Sequence, residues 1–436
     1  MPTRLLRRAA LLSAILLILC AGAASAGAPA AAGAQEIYSR YRGRVLRIRI
    51  LEKSSRSQAT VGSGFVVGTG GLAVTNYHVV NQLVWFPEDY EAVAVLDNGE
   101  TRKLTLVDLD VVHDLAVVSL EGGSLGALTI AGTEPPKGRR LYAMGNPHDL
   151  GMTIVEGSYS GLLAEMLIPK VHFTGSVNPG MSGGPVLDDA GEVVGVSVAT
   201  SGDQVSFLVP SRFLKPLLDR GGKAKPGEFK GIIAEQLRAH QEDAFASLFA
   251  HAVSTQALGS FQVPGQLSPV FHCWANTNEA KEQPYTVIHS ECEIKDEIFI
   301  NDRLSTGAIG FTHHGLVTSR LNPFQFAALQ QHYLTTGSEN GASILFSGFG
   351  RGSEEEEVTP YECESSLVKN GELILKGVLC LRAHKEFKGL YDLHWKAGSL
   401  AASRQGFVTA LNLEGVTREN AARFLTHYIE AFAWKR

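Results

Sequence analysis

A glycine-rich stretch at residues 178–186, NPGMSGGPV, presents one serine, Ser182, in a tight turn before a strand. Gly180 and the glycines after the serine permit backbone dihedrals barred to other residues and let a substrate approach closely. The amides of Gly180 and Ser182 are candidates to bind an oxygen that gains negative charge during acyl transfer. Because a serine alone is a poor nucleophile, this chemistry also requires a base and an orienting acid.

Two upstream segments contain the candidate base and acid. His78 lies in TNYHVV (75–80) and Asp114 in HDLAVV (113–118). In this hypothesis His78 takes the Ser182 proton and later gives it to the leaving amine, while Asp114 holds the imidazole tautomer. The alternative is a turn serine, a surface histidine and a capping aspartate, which requires three coincidences.

The elements that must position these residues are short strands joined by glycine-rich turns. Strand periodicity begins near position 45. Asn98 and Gly99 predict a hairpin between strands at 91–96 and 102–108. Many short strands with little helix indicate barrels or a sandwich. A helix at 211–218 is expected to close this region.

Taken in order, the motifs resemble those of the HtrA/Deg branch of the trypsin-like serine protease family, over residues 40–212. The resemblance implies two six-stranded β-barrels that carry the catalytic residues in the order histidine, aspartate, serine. The matching segments are TNYHVV (75–80), HDLAVV (113–118), GNP (145–147), NPGMSGGPV (178–186) and VSFLVP (205–210).

The fold that the resemblance implies also places the primary substrate pocket. Its walls are the segment before the nucleophile, with Ser176, and a later strand with Ser197, Val198 and Ala199. Neither segment carries an acidic residue, and a buried positive charge without a partner is costly. We therefore expect small or medium apolar residues before the scissile bond. Asp203, in a nearby loop, is the residue that threatens this expectation.

Two features depart from the family pattern. Met181 occupies a position that is usually Asn in this branch and Asp in digestive enzymes. Activation through a freed N-terminus is therefore excluded, and the way the oxyanion loop is ordered stays open. No PDZ-type carboxylate-binding loop follows Pro210, so regulation by peptide binding and cage assembly are not expected.

The N-terminus has the pattern of an export signal. Arg4, Arg7 and Arg8 precede an apolar run, and an A-x-A motif ends at Ala26. We expect cleavage after Ala26, a periplasmic or secreted protein, and no membrane span after cleavage. The net charge of −5, without a basic stripe, argues against nucleic acid as a partner.

Beyond Ala26 four cysteines remain, all in the second half of the chain. Export favours disulfides, and no C-x-x-C pair indicates zinc, so we expect no metal site. Landmarks in this half recur at a spacing of about 90 residues, which indicates a duplication. The pairs are Cys273 and Cys363, Cys292 and Cys380, Gly315 and Gly406, and His332 and His427.

The duplication chooses between the three possible disulfide pairings. Because Cys273 and Cys292 occupy the same places in one unit as Cys363 and Cys380 in the other, we predict one bridge in each unit. Asn370, before a glycine, marks a hairpin turn between the second pair. We also expect the two units to pack around a pseudo-two-fold axis.

The sequence thus predicts a mostly β protein, a trypsin-like double β-barrel followed by a duplicated α+β region. The predicted function is that of an exported serine endopeptidase that cleaves unfolded or damaged polypeptides without a cofactor. The alternatives are a non-catalytic envelope binding protein, or a protease gated by an unknown ligand or protein on the C-terminal units. The predicted divisions are a signal peptide (1–26), a protease domain (36–220), a linker (221–230), and a C-terminal region (231–436) with units at 231–320 and 321–415 and a closing helix at 416–436.

Overall fold

The computed structural model describes most of the chain after the predicted signal peptide. The signal peptide, Asp203 and the middle of the predicted linker lie outside the described residues. The side chains of Ala199 and Thr200 are also not described. The described ranges are 33–68, 70–123, 125–200, 205–222, 227–278, 283–294, 296–336, 356–400 and 404–435.

The first barrel forms because apolar side chains alternate along its strands. In β1, Ile48 and Ile50 are fully buried, whereas Arg47 and Arg49 between them stay partly exposed. Within the described part of the chain, six strands close in the order β1-β2-β3-β6-β5-β4. The elements are α1 (Ala34–Tyr41), β1 (Val45–Glu52), β2 (Gln58–Val66), β3 (Leu72–Thr75), α2 (Tyr77–Val80), α3 (Gln82–Trp85), β4 (Tyr90–Val95), β5 (Thr101–Asp110) and β6 (Leu115–Leu120).

The second barrel follows directly. Its strands pair in the order β11-β8-β9-β10-β13-β12, and β11 pairs with β12 to close the ring, while β7 lies parallel beside β12. The elements are β7 (Thr129–Ile130), β8 (Arg140–Gly145), β9 (Thr153–Leu162), β10 (Val171–Phe173), β11 (Pro185–Leu187), β12 (Glu192–Thr200), β13 (Ser206–Pro210) and α4 (Leu214–Asp219).

The double barrel confirms the predicted fold class. The predicted hairpin is present, with Val95 opposite Thr101 across a turn that contains Gly99 in the left-handed region. One element was not predicted. Residues 34–41 form helix α1, which buries Ile37 and Tyr41, whereas the strand pattern in the sequence begins only near position 45.

The C-terminal region is built on one antiparallel sheet. Across the described residues, its strands pair in the order β16-β17-β20-β24-β23-β22-β21. The elements are α5 (Phe229–Phe249), β14 (Thr255–Leu258), β15 (Phe261–Pro264), β16 (His272–Asn278), β17 (Thr286–Ile294), β18 (Ile298–Asn301), β19 (Leu304–Thr306), β20 (Ile309–Val317), α6 (Pro323–Thr336), β21 (Glu362–Asn370), β22 (Leu373–Ala383), β23 (Tyr391–Ser399), β24 (Gln405–Val416), α7 (Arg418–Glu430) and β25 (Ala433–Trp434).

Two disulfides join neighbouring strands at the two outer edges of this sheet. Cys273 bonds to Cys292, and Cys363 bonds to Cys380. Each bridge closes a short loop, worth roughly 3 kcal/mol in the chain-entropy estimate. The two proposed units meet where β20 pairs with β24. Their origin as a duplication stays a prediction.

The end of the chain differs from the predicted closing helix at 416–436. Helix α7 begins at Arg418, where Thr417 accepts the Asn420 amide as an N-cap, and ends at Glu430. The chain then turns back, and Trp434 pairs with Phe261 of β15 in a small separate sheet. Burial of Phe432, which is 1% exposed, draws this segment onto the core.

The C-terminal region shares a core with the first barrel. Phe229, Ile233 and Leu237 of α5 belong to one buried apolar cluster with Leu109 and Val111 of the barrel. Gln236 adds polar contacts, because its side chain accepts from the Val111 amide and donates to the Leu109 carbonyl. The two halves therefore pack as one body around this cluster.

Candidate active site

The first part of the site is a histidine at the start of a short helix. Strand β3 ends at Thr75, and α2 carries His78 one turn later. The His78 ring pairs with Asp114, with 2.7 Å between Nδ1 and Oδ2. The backbone amide of His78 donates to the other carboxylate oxygen, Oδ1, at 2.8 Å. The carboxylate therefore holds both the ring and the backbone of the histidine.

Asp114 adopts a backbone conformation that few residues tolerate. Its φ angle is 54°, in the left-handed region, where Asn and Asp are enriched among non-glycine residues. Its carbonyl oxygen accepts hydrogen bonds from the Asn76 side chain at 2.7 Å and from the Tyr77 amide at 3.2 Å. Residues that flank His78 thus hold the strained turn, which is common at functional sites.

The surroundings of His78 raise the pKa of its ring. Burial lowers the pKa of His78, but the charge and hydrogen bond of Asp114 outweigh burial, so the pKa lies above its usual value. Asp114 also receives a ring N–H from Nδ1, which leaves Nε2 free to act as a base when the ring is neutral. This is the arrangement expected of a general base with an orienting carboxylate.

Ser182 is linked to a residue of the cleft through its side chain. Its Oγ donates to the carbonyl oxygen of Val198 on β12 at 2.8 Å. Val198 and His78 both line a cleft of about 610 Å³ between the barrels and the C-terminal region. Among the described contacts, Ser182 therefore bonds to Val198 and not to His78. A change of χ1 rotamer would free the hydroxyl, and catalytic bonds are often loose without substrate.

Glycine is required at several points of the Ser182 loop. Gly180 has φ 95°, and a Cβ there would lie 2.4 Å from the carbonyl oxygen of Asn146. Gly183 has φ 85°, and a Cβ there would lie 2.2 Å from the carbonyl oxygen of Ser63. The loop therefore packs closely against backbone atoms on both sides of the serine. The glycines of the sequence predict such a tight turn.

The peptide group before Gly180 has a defined orientation. The carbonyl oxygen of Pro179 accepts from the His148 amide at 2.8 Å. In a planar trans peptide the N–H points opposite to the carbonyl, so the Gly180 N–H faces away from His148. Within the described part of the chain, the amides of Gly180 and Ser182 donate to no protein group. Both are available to an oxyanion.

A buried hydroxyl orders the loop of Gly180 and Ser182, whose means of ordering the sequence left open. Ser63, which is 0% exposed, donates to the Gly180 carbonyl at 2.7 Å and accepts from the Asn146 amide at 3.0 Å. Met181 is 0% exposed and packs into the apolar cluster of the second barrel. Apolar burial and a serine bridge thus replace a charged partner at this position.

The loop that carries Asn146 and His148 is itself tied to the first barrel. Asp149 pairs with Arg47 at 3.0 Å and Arg49 at 2.7 Å, both on β1. His148 and Asp149 both have positive φ, at 49° and 59°. Burial raises the pKa of Asp149, but hydrogen bonds from Asn146 and Arg49 and the arginine charges outweigh it and keep the pKa low. An ionised Asp149 therefore holds the strained loop in place.

Substitution of Ser63 by Ala is expected to lower kcat by roughly 10- to 100-fold, less than the complete loss of an oxyanion-hole donor. The change leaves the Asn146 amide and the Gly180 carbonyl buried without a partner, so the oxyanion loop loosens. KM should change little, because the cleft walls are untouched. Steady-state kinetics on a fluorogenic peptide measure both values.

Ser268→Ala is the matched control for this prediction. Ser268 is also buried, at 5% exposure, and accepts a backbone amide, but it lies in the C-terminal region. Its substitution should lower thermal stability without lowering kcat. An unchanged kcat in Ser63→Ala would show that the serine bridge does not order the loop.

The predicted pocket residues fall in different surroundings. Val198 is half-buried and lines the cleft. Ser197 is 0% exposed, and its hydroxyl makes no hydrogen bond with the described residues. Ser176 is exposed, and the Ala199 side chain lies outside the described part. Of the three whose side chains the structure describes, only Val198 lines the cleft with His78.

Sequence reasoning missed a wall of the cleft that comes from the C-terminal region. Glu297, Ile298, Phe299 and Asp302 line the same space as His78. Nothing in the spacing of these residues pointed to this contact, because it depends on packing between elements more than 200 residues apart, as in the Tyr77–Ile300 hydrogen bond.

Two properties of the described residues concern metals and membranes. No group of three or more His, Cys, Asp or Glu side chains there is placed to hold a metal ion. No described helix has the length and apolar character needed to cross a membrane.

The chain matches one family model and several curated proteins over part of its length. Residues 62–196 match the family model of the trypsin-like peptidase domain. The chain is 32% identical over 203 residues to a probable periplasmic serine endoprotease, DegP-like, of Chlamydia pneumoniae, covering 43% of this chain and 40% of that protein. It is 29% identical over 180 residues to serine protease HTRA4 of Homo sapiens, covering 39% and 37%.

The matches confirm the resemblance to HtrA/Deg-type trypsin-like proteases. A solved structure, the serine endoprotease from Yersinia pestis, aligns with a TM-score of 0.39 and 24% identity, over 43% of this chain and 66% of that one. This chain spans 40% and 37% of the length of the two curated relatives. The C-terminal region lies outside the family match.

Proposed function

We propose that this chain, whose residues 62–196 belong to the trypsin-like peptidase domain family, is a serine endopeptidase that hydrolyses unfolded or damaged polypeptides. The main observation is the His78–Asp114 pair, which shares a cleft with the carbonyl partner of Ser182. Two free amides, from Gly180 and Ser182, lie on the same loop as the serine. In the proposed site these residues act as base, orienting acid, nucleophile and oxyanion donors.

In the proposed mechanism, His78 removes the Ser182 proton while Oγ attacks the scissile carbonyl. The carbonyl oxygen becomes an oxyanion and binds the amides of Gly180 and Ser182. The imidazolium, stabilised by Asp114, then protonates the leaving amine, and the C–N bond breaks. The products of this half-reaction are the free amine and an acyl ester on Ser182.

Hydrolysis of the acyl ester completes the cycle. His78 takes a proton from water, whose oxygen attacks the ester carbonyl, and the oxyanion again binds the two amides. Collapse releases the acid and returns the proton to Ser182 Oγ. Both half-reactions require neutral His78 at the start, so the pKa of this ring sets the acid limit of activity.

We expect cleavage after small or medium apolar residues such as Val, Ala or Leu. The supporting observation is that residues 196–200, which include Ser197 and Val198, carry no acidic side chain, and an unpaired buried cation would be costly. The site preference can be measured by mass spectrometry of peptides released from a denatured proteome. A profile dominated by Arg or Lys immediately before the cut would contradict this expectation.

Export is the second part of the proposal. Two disulfides in the C-terminal region favour an oxidising compartment. The curated relatives include proteins named as probable periplasmic endoproteases. We therefore propose a periplasmic or secreted enzyme.

Labelling by a fluorophosphonate probe tests the function directly. Rapid labelling of the wild-type chain, lost in Ser182→Ala and kept in Ser39→Ala on the exposed face of α1, supports the enzyme. No labelling would favour a non-catalytic binding protein on a protease-like scaffold. Labelling that depends on an added ligand would favour a protease gated through the C-terminal units.

A further inference from the structure

A hairpin of the C-terminal region is fixed against the catalytic helix. It consists of β18 and β19, and the carbonyl oxygen of Ile300 accepts the Tyr77 hydroxyl at 2.7 Å and the Trp85 indole N–H at 3.1 Å. The side chains of Ile300 and Leu304, 0% and 4% exposed, belong to the apolar cluster of the first barrel. The hairpin is therefore a packed wall of the cleft.

Phe299 projects from this wall beside the catalytic histidine. Its ring lies edge-on to the His78 ring, with 6.2 Å between centroids and 83° between planes, and 6.4 Å from the Tyr77 ring. It is half-buried and lines the cleft. An extended peptide advances about 3.3 Å per residue. A substrate residue within about two positions of the scissile bond therefore reaches this ring.

The charges around Phe299 are mostly negative. Glu297 and Asp302, at the two ends of β18, are exposed carboxylates that line the cleft. Lys170, just before β10, is the only Lys or Arg among the described lining residues. Asp114 is already paired with His78. An aromatic surface beside two carboxylates matches a side chain with an apolar stem and a cationic end.

We propose that the β18–β19 hairpin forms a substrate subsite in which Phe299 contacts the stem of a Lys or Arg side chain and Glu297 and Asp302 bind its charge. Phe299 is then a specificity-determining residue supplied by the C-terminal region. The substrate class is a polypeptide with a basic residue near, but not directly before, the scissile bond. This inference rests on the proposed peptidase function and adds a second recognition point to it.

The test uses fluorogenic peptides with Val directly before the cut. Lys, norleucine, Glu or Gly is placed in turn at each of four positions, the two before this Val and the two after the cut. At one of these positions, Lys should give a kcat/KM about threefold to fivefold above norleucine, the scale of exposed ion pairs, and Glu the lowest value. Equal values for Lys, norleucine and Glu at all four positions would overturn the proposal.

Two sets of variants separate the apolar and charged contributions. Phe299→Ala should lower kcat/KM about tenfold more for the Lys peptide than for the Gly peptide, since it removes an apolar contact that only the longer side chain makes. Glu297→Gln with Asp302→Gln should remove the preference for Lys over norleucine. The control, Glu362→Gln with Glu364→Gln on exposed β21, should keep that preference.

Two further measurements separate a loss of specificity from misfolding and from an inactive enzyme. Phe299→Leu and a melting curve control for misfolding, because Leu retains apolar bulk. An equal loss of kcat/KM on the Gly and Lys peptides would contradict a specificity role. If no peptide is cleaved, the endopeptidase proposal fails. Fluorescence anisotropy of the Lys peptide on Ser182→Ala then tests the subsite alone. Binding that Phe299→Ala weakens supports it, and binding that is absent or unaffected by Phe299→Ala refutes it.

Discussion

Ser182→Ala is expected to lower kcat by about 10⁶, the scale seen when a catalytic triad loses its nucleophile. The substitution removes Oγ, which alone can form the acyl ester. The hydrogen bonds of the loop backbone are retained, such as the one that the Ser63 amide donates to the Ser182 carbonyl oxygen. His78→Ala should cost about as much, because the two groups act as a unit. Turnover of unfolded casein measures both losses.

A serine outside the site, Ser39, serves as the control for Ser182→Ala. Ser39→Ala changes an exposed serine of α1 that donates to the Gln35 carbonyl, and it should retain wild-type kcat. All variants should melt at similar temperatures. If Ser182→Ala degrades casein at the wild-type rate, a serine mechanism at this loop is wrong.

Asp114→Asn is expected to lower kcat by about 10⁴, as in triads whose carboxylate becomes an amide. Asn tolerates the left-handed φ of 54°, so the turn persists. The amide stabilises the wrong imidazole tautomer and does not stabilise the imidazolium. The variant therefore isolates the chemical role of the carboxylate from its structural role.

The same variant has a defined effect on pH dependence. Activity requires neutral His78 and is lost as the pH falls through its pKa, which Asp114 raises above the usual value of 6.5. Without the carboxylate charge, burial alone acts on the ring, so the acid limb of kcat/KM should move to lower pH. A limb that stays in place would show that another group controls it.

A second Asp–His pair supplies the control. Asp110 contacts His113 with 2.8 Å between Oδ2 and Nδ1, on the same loop as Asp114. The His113 ring stacks on Phe213, 3.7 Å between centroids, and pairs with Asp110 instead of Asp114. Asp110→Asn makes the same chemical change there and should leave both kcat and the acid limb close to wild type.

Features set by local patterns were predictable from the sequence. The glycine loop, the hairpin at Gly99 and the two cysteine hairpins depend on residues close together in the chain. The pairing of His78 with Asp114 came from the motif resemblance, and the structure places the two side chains in contact.

Features set by long-range packing were not predictable. The Ser63 bridge depends on β2 reaching the oxyanion loop, 117 residues later in the chain. His148 and Asp149 adopt positive φ angles, but neither is a glycine, so the sequence does not signal this conformation. Arginines on β1 stabilise the loop instead. The end of α7 at Glu430 follows from burial of Phe432, which outweighs the helical pattern.

The contact between Tyr77 and Ile300 also has a consequence for biosynthesis. Ribosomes extend the chain from the N-terminus, and the two residues are 223 positions apart. A chain that has emerged through Ser182 contains all three residues of the proposed triad, but the carbonyl that Tyr77 and Trp85 bind has not yet been made. The catalytic helix acquires this brace only after both barrels have been translated, so the finished shape of the cleft is a late event in the life of each molecule.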